Sequence, residues 1–311
     1  MDFLILALGL VVLIFSGELL VRSAVGLALK LKVSPMVVGL TIVSFGTSAP
    51  ELLVSLQAAI EGRSAIAMGN VVGSNIANLG LVLGLTALVL PLVIKRKTVR
   101  FDWPIMFGVS LLLFGLVYYD NEVNWYDGVI FMTVIVTYLV ILFKTSKVEE
   151  LTSEVEELST QTNKSFYWLL SILGIGCIGL VFGSNWFLDG ATSIAKSMGV
   201  SDHVIGVTLV AFGTSVPELA TSLVAAFRKE TDISIGNLIG SNIFNVCVVL
   251  GITSMVSTIE VGQNVIDSDL LWMLAISLII LPFMATGKKI SRWEGAILAV
   301  GYGVYVFYVL S

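Results

Sequence analysis

The chain has 311 residues, of which 57% are hydrophobic and only 13% charged, and its mean hydropathy is +0.98. Its apolar residues fall into runs of about 18 to 25, the length a helix needs to cross a bilayer, so the composition describes an all-α, polytopic membrane protein. The formal net charge of −5 excludes little by its size, but nearly every charge lies between the apolar runs and none builds a face for nucleic acid.

The N-terminal run "MDFLILALGLVVLIFSGELLVR" has no basic region before it and no small-residue cleavage signal, and is expected to be a retained first helix. In chain order, the apolar segments predict ten helices at 2–22, 35–60, 66–90, 102–119, 127–144, 166–188, 202–227, 233–257, 267–286 and 293–310. Lys and Arg concentrate in cytoplasmic loops, which tests the count. Ten helices place all but Arg63 and Lys196 of the 17 Lys and Arg on one side, and one missed helix would scramble that division. Both termini are therefore expected outside. Cys177 and Cys247 lie within apolar runs and predict no disulfide.

A repeat runs through this pattern. Glu218 follows Glu51 by 167 residues, and from Pro35 to Leu88 the same offset holds without a gap, with about half the positions identical. Phe15 falls on Phe182, Ala24 on Ala191 and Val33 on Val200, so the first helix of each half corresponds as well. Five helices is an odd number, and the second copy must enter the membrane upside down. Inverted repeats are common in secondary transporters, whose binding sites lie near the midplane between the halves. The expected organisation is residues 1–146 as the first repeat, 147–165 as an acidic cytoplasmic linker and 166–311 as the inverted second repeat.

Each half carries a polar break inside an apolar segment: "FGTSAPELLVS" from Phe45 and "FGTSVPELATS" from Phe212. Gly46 weakens the helix, Pro50 donates no backbone hydrogen bond and disfavours helix at Ala49, and Ser48 stands three residues before Glu51 as in a capping box. The helix is expected to break and restart there. Capping alone is the plainer reading, but a serine would cap adequately, and two buried carboxylates in hydrocarbon are costly.

A second polar segment follows each break, "GNVVGSNIANLGLVLG" from Gly69 and "GNLIGSNIFNVCVVLG" from Gly236. Asn70, Ser74 and Asn78 share one helical face, as do Asn237, Ser241 and Asn245. Gly69 and Gly73, like Gly236 and Gly240, are expected to admit another backbone closely. Small-residue packing glued by serine and asparagine would explain one such segment. The pair, with two glutamates and freed carbonyls, forms a set of hard oxygens without Cys or His, which suits Ca2+ or Na+ and not a transition metal.

These doubled motifs resemble the two alpha repeats of the calcium/cation antiporter superfamily, most closely its sodium/calcium exchangers, and the resemblance covers almost the whole chain. It implies ten helices in two inverted halves and exchange of Ca2+ for Na+ by alternating access, with the first and sixth helices sliding past a fixed core. By motif, Glu51 and Glu218 resemble the principal ligands of Ca2+ and of the Na+ that replaces it. Thr47, Ser48, Thr214 and Ser215 would supply hydroxyls or carbonyls nearby, with Ser74, Asn78, Ser241 and Asn245 facing them. One departure stands out: many sodium/calcium exchangers have aspartate at the position of Asn78 or Asn245, and both are asparagine here.

The expected function is antiport of Ca2+ and Na+ across the cell (plasma) membrane. The ions are substrates; no cofactor, no enzymatic activity and no protein partner is inferred. A proton-coupled Ca2+ antiporter would use the same glutamates as proton carriers, and a cation channel could share the oxygen ligands. An intramembrane hydrolase using Ser48 or Ser215 lacks a base, because the only histidine, His203, lies at a helix start beside Ser201 and Asp202, where capping is the default reading.

Overall fold

The computed structural model describes residues 2–145, 164–200 and 213–310. Most of the linker, the start of the expected seventh helix and His203 lie outside the described residues. The described chain is helical apart from four two-residue strands. Seven of its helices are long and apolar enough to cross a membrane, or eight counting one bent pair as a single span.

In chain order the helices are α1 (Asp2–Leu31), the bent pair α2 (Pro35–Thr47) and α3 (Ala49–Ile60), α4 (Ser64–Val89), α5 (Thr98–Asp120) and α6 (Trp125–Thr145). After the linker come α7 (Phe166–Ser197), α8 (Val216–Phe227), α9 (Thr231–Val256), α10 (Val265–Ala285) and α11 (Arg292–Leu310).

Two helices outrun their expected ends. α1 continues to Leu31 rather than stopping at 22, and α7 to Ser197 rather than 188. Arg22 does not end α1 because Glu18, one turn earlier, pairs with it. Helix formers carry the chain on until Lys32 turns left-handed at φ 54°. At about 1.5 Å per residue both helices exceed a bilayer core of about 30 Å, so they tilt or project beyond it. They lie against each other through glycines: a Cβ on Gly183 would sit 2.9 Å from Leu13 N, and one on Gly176 3.1 Å from Leu20 N. Side chains larger than hydrogen would push the two backbones apart.

The strands β1 (Leu92–Val93), β2 (Glu122–Val123), β3 (Ile259–Glu260) and β4 (Lys289–Ile290) form two antiparallel pairs, β1 with β4 and β2 with β3. Leu92 pairs with Ile290 and Val123 with Ile259. The 167-residue offset carries β1 onto β3 and β2 onto β4, so each strand pairs with the half of the chain it does not belong to.

Both inner helices widen in the middle. α4 makes a π turn over Asn78–Val82 and α9 over Asn245–Leu250, each starting at the asparagine that ends the polar motif. Nothing in the residues of the turn announces it, and such turns gather at functional positions.

Candidate cation site

The break falls at Ser48, where φ and ψ are −85° and 3°, and α2 and α3 meet at 44°. Ser215 adopts the same conformation, −89° and 1°, ahead of α8. The capping box is not made. Helix resumes directly at Ala49 with Pro50 in its first turn, Ser48 makes no side-chain cap, and its hydroxyl has no hydrogen-bond partner. Pro217 has no N–H for the carbonyl of Gly213 four residues back, and Ser184 of α7 donates to that oxygen at 3.0 Å.

Glu51 and Glu218 stand in the first turns of α3 and α8. Both are fully buried, and none of their four carboxylate oxygens has a hydrogen-bond partner. The two are close enough to interact electrostatically. Buried carboxylates left unsatisfied are among the costliest groups in a fold, and two of them near enough to repel each other call for a cation.

The hydroxyls converge from both halves. Thr47 Oγ1 stands 3.3 Å from Ser241 Oγ, and Ser74 Oγ 3.2 Å from Thr214 Oγ1. The 167-residue offset turns one contact into the other, so the site obeys the repeat. Thr47 also donates to Asn237 Oδ1 at 3.0 Å, and Ser74 to Asn70 O at 2.6 Å. Ser48, Ser215, Asn78 and Asn245 are buried with them, and Ser215 Oγ and both polar atoms of Asn78 have no partner. The ten residues expected from the motifs lie at the break between α2 and α3, at the start of α8 or just ahead of it, and at buried positions of α4 and α9. Among the described residues no three His, Cys, Asp or Glu side chains gather, so the cluster offers two carboxylates and otherwise neutral oxygens.

One contributor escaped the sequence reading. Asn245 Nδ2 donates to Asn75 Oδ1 at 3.1 Å, and Asn75 Nδ2 reaches Asn242 O at 3.3 Å. Asn75 therefore fixes the Asn245 amide, leaving its Oδ1 without a protein donor. The first asparagine of "SNIAN" was the available signal.

The expected close approach at glycines holds in the second half. A Cβ on Gly236 would lie 2.8 Å from Met36 O, and one on Gly240 2.7 Å from Leu40 O. At Gly69 and Gly73 nothing among the described residues comes within 4 Å. Residues 203 and 207, which stand to them as Met36 and Leu40 stand to Gly236 and Gly240, lie outside the described residues.

The family model of the sodium/calcium exchanger protein matches residues 1–144 and 168–311. The sodium/calcium exchanger MaX1 of Methanosarcina acetivorans is 35% identical, covering 99% of each chain. The inner membrane protein YrbG of Escherichia coli is 34% identical over 97% of this chain and 94% of its own. Among solved structures, the sodium-calcium exchanger NCX_Mj soaked with Na+ and Sr2+ matches with a TM-score of 0.83 at 31% identity, over 98% of this chain and 97% of that one. The same exchanger soaked with Na+ and Ca2+ matches with a TM-score of 0.82.

Proposed function

Because the chain belongs to the sodium/calcium exchanger protein family, we propose that it is a secondary antiporter exchanging Ca2+ for Na+ by alternating access. The observation that carries this reading is the pair of fully buried, unpartnered carboxylates of Glu51 and Glu218 amid hydroxyl and amide oxygens. Ionised, they bring a charge of about −2, which one Ca2+ or two Na+ neutralise. The ions then compete for overlapping oxygens, and competition at one site produces exchange.

In this reading the principal ligands are Glu51 and Glu218, supported by Thr47, Ser48, Ser74, Asn78, Thr214, Ser215, Ser241 and Asn245. Ten spans in two inverted halves place both termini outside and the 147–165 linker in the cytoplasm, in the cell membrane. The cycle needs no cofactor and forms no covalent intermediate. With asparagine at both 78 and 245, no third carboxylate adds charge to the cluster.

Calcium uptake into proteoliposomes tests the proposal. Vesicles loaded with Na+ should take up Ca2+ when diluted into Na+-free medium, and vesicles loaded with K+ should not. Uptake driven by an acidic lumen and indifferent to Na+ would assign H+ as the counter-ion instead.

A further inference from the structure

Between Glu218 and the Arg228 loop lies a group of polar side chains, four from the second half and one from the first, of which only Asn237 also touches the cation site, through Thr47. Thr221 and Ser222 lie three and four residues beyond Glu218 on the same buried face of α8. Ser234 and Asn237 continue the Ser241 and Asn245 face of α9 toward its start. α8 packs against α9 and also against the Leu83–Val89 end of α4, which carries Thr86.

All five residues are fully buried. Thr86 Oγ1, Thr221 Oγ1, Ser222 Oγ, Ser234 Oγ and Asn237 Nδ2 have no hydrogen-bond partner. Outside the cation site, where Ser48 and Ser215 also lack partners, most buried hydroxyls bond to their own helix. Thr41 donates to Val37 O at 2.7 Å, Ser110 to Met106 O at 3.1 Å and Ser277 to Met273 O at 2.7 Å, each one turn back along its own helix.

The other half serves as an internal control. The offset carries Thr221 onto Val54 and Ser234 onto Ala67, neither of which has a hydroxyl. It carries Ser222 and Asn237 onto Ser55 and Asn70, which satisfy each other: Asn70 Nδ2 donates to Ser55 Oγ at 2.9 Å and Ser55 Oγ to Ala67 O at 3.3 Å. Only Thr253, the counterpart of Thr86, is also unpartnered. Packing the same pair of helices therefore does not require these hydroxyls.

The halves also differ in cover. α1 lies along α8, where a Cβ on Gly17 would sit 3.2 Å from Val224, and Glu18 pairs with Arg228. On α3, the counterpart of α8, Leu53 is 68% and Val54 41% exposed. The polar group is thus sealed on the side of the Arg228 loop in the arrangement seen here.

We propose that Thr86, Thr221, Ser222, Ser234 and Asn237 line a passage that carries partly hydrated Na+ between Glu218 and the Arg228 side of the membrane. This rests on the exchanger reading above. Neutral hydroxyls with no carboxylate among them hold a cation weakly, which suits a transit site that must be left as readily as it is entered. When α1 moves off α8, water completes the hydrogen bonds that the closed arrangement leaves unmade, and the Asn237 amide holds one such water.

The decisive variant gives the second half the residues that the first already carries, Thr221→Val with Ser234→Ala. In proteoliposomes its Na+-driven Ca2+ exchange should fall about tenfold, while Ca2+ binding to the detergent-solubilised protein stays within about twofold of wild type. The hydroxyl-keeping pair Thr221→Ser with Ser234→Thr should exchange at near wild-type rates. Equal exchange by the two pairs would overturn the proposal, and so would loss of Ca2+ binding in the first pair, which would assign these residues to the cation site. Labelling reads the passage without flux. Thr221→Cys, in a background lacking Cys177 and Cys247, should react with an impermeant thiol reagent from the Arg228 side, and inertness under every ion condition would overturn the passage. Wild-type vesicles without Na+-driven uptake would instead remove the exchanger reading, an outcome the labelling does not depend on.

Discussion

Glu18 of α1 is ion-paired with Arg228, the residue at which α8 ends, and Arg22 one turn further along α1 shares the same carboxylate. The corresponding residues in the other orientation are Asn185 and Glu61, which cannot form an ion pair. The clasp exists on one side of the molecule only, where α1 covers α8. Glu18 is one-fifth exposed and Arg228 about half, so the pair contributes on the order of 1 kcal/mol or less. Glu18→Gln should raise the rate at which Ala225→Cys is labelled from the Arg228 side by about two- to fivefold, the population shift such an energy allows. An unchanged rate would mean that the pair does not hold the closed arrangement.

Glu51→Gln and Glu218→Gln each remove one negative charge from the cluster while keeping its volume. Each should reduce Ca2+ exchange by about 100-fold or more, since the remaining carboxylate cannot neutralise a divalent ion alone. The folded protein should survive, because a buried charge is being replaced by a neutral amide. Monodispersity in detergent checks the fold and vesicle uptake checks the loss; exchange at near wild-type rates in either variant defeats the two-glutamate site.

The inverted arrangement makes a prediction about sides. Ser64 begins α4 and Thr231 begins α9, and the offset maps one onto the other. Single cysteines at these positions, without Cys177 and Cys247, should be labelled by an impermeant reagent from opposite faces of oriented vesicles. Labelling from the same face would refute inversion.

Gly236→Ala tests the packing of α2 on α9. The new Cβ would meet Met36 O at 2.8 Å and Leu40 N at 3.0 Å, and backbone atoms cannot swing away as a side chain can. Destabilisation of about 1–3 kcal/mol is expected, seen as a lower Tm in detergent. Gly108→Ala, with nothing within 4 Å among the described residues, should leave Tm nearly unchanged or raise it. Equal melting of the two variants would show that the contact is not tight.

The repeat, the break at Ser48 and the shared helical faces of α4 and α9 were legible because each rests on local chemistry: hydropathy sets span length, proline removes a donor, and an i, i+4 spacing selects a face. Other features depended on partners far away in sequence. Arg22 looked like the end of a span until Glu18 was seen to pair with it. Ser48 and Glu51 had the spacing of a capping box, but Pro50 lets helix resume at once and leaves both side chains unpartnered. The π turns at Asn78 and Asn245 have no residue signature. The role of Asn75 needed the second half in place, since the amide it orients lies 170 residues away.

The crossed strand pairs bear on how the chain is made. β1 and β2 emerge from the ribosome with the first half, yet their partners β4 and β3 are encoded near the far end. Until most of the second half has been inserted, the first holds two unpaired edges, and Gly236 and Gly240 are not yet present to receive α2. The first half cannot reach its final form during its own synthesis. The first half therefore closes late, and a chain stalled near the linker would present those edges to whatever helper or neighbouring chain it meets.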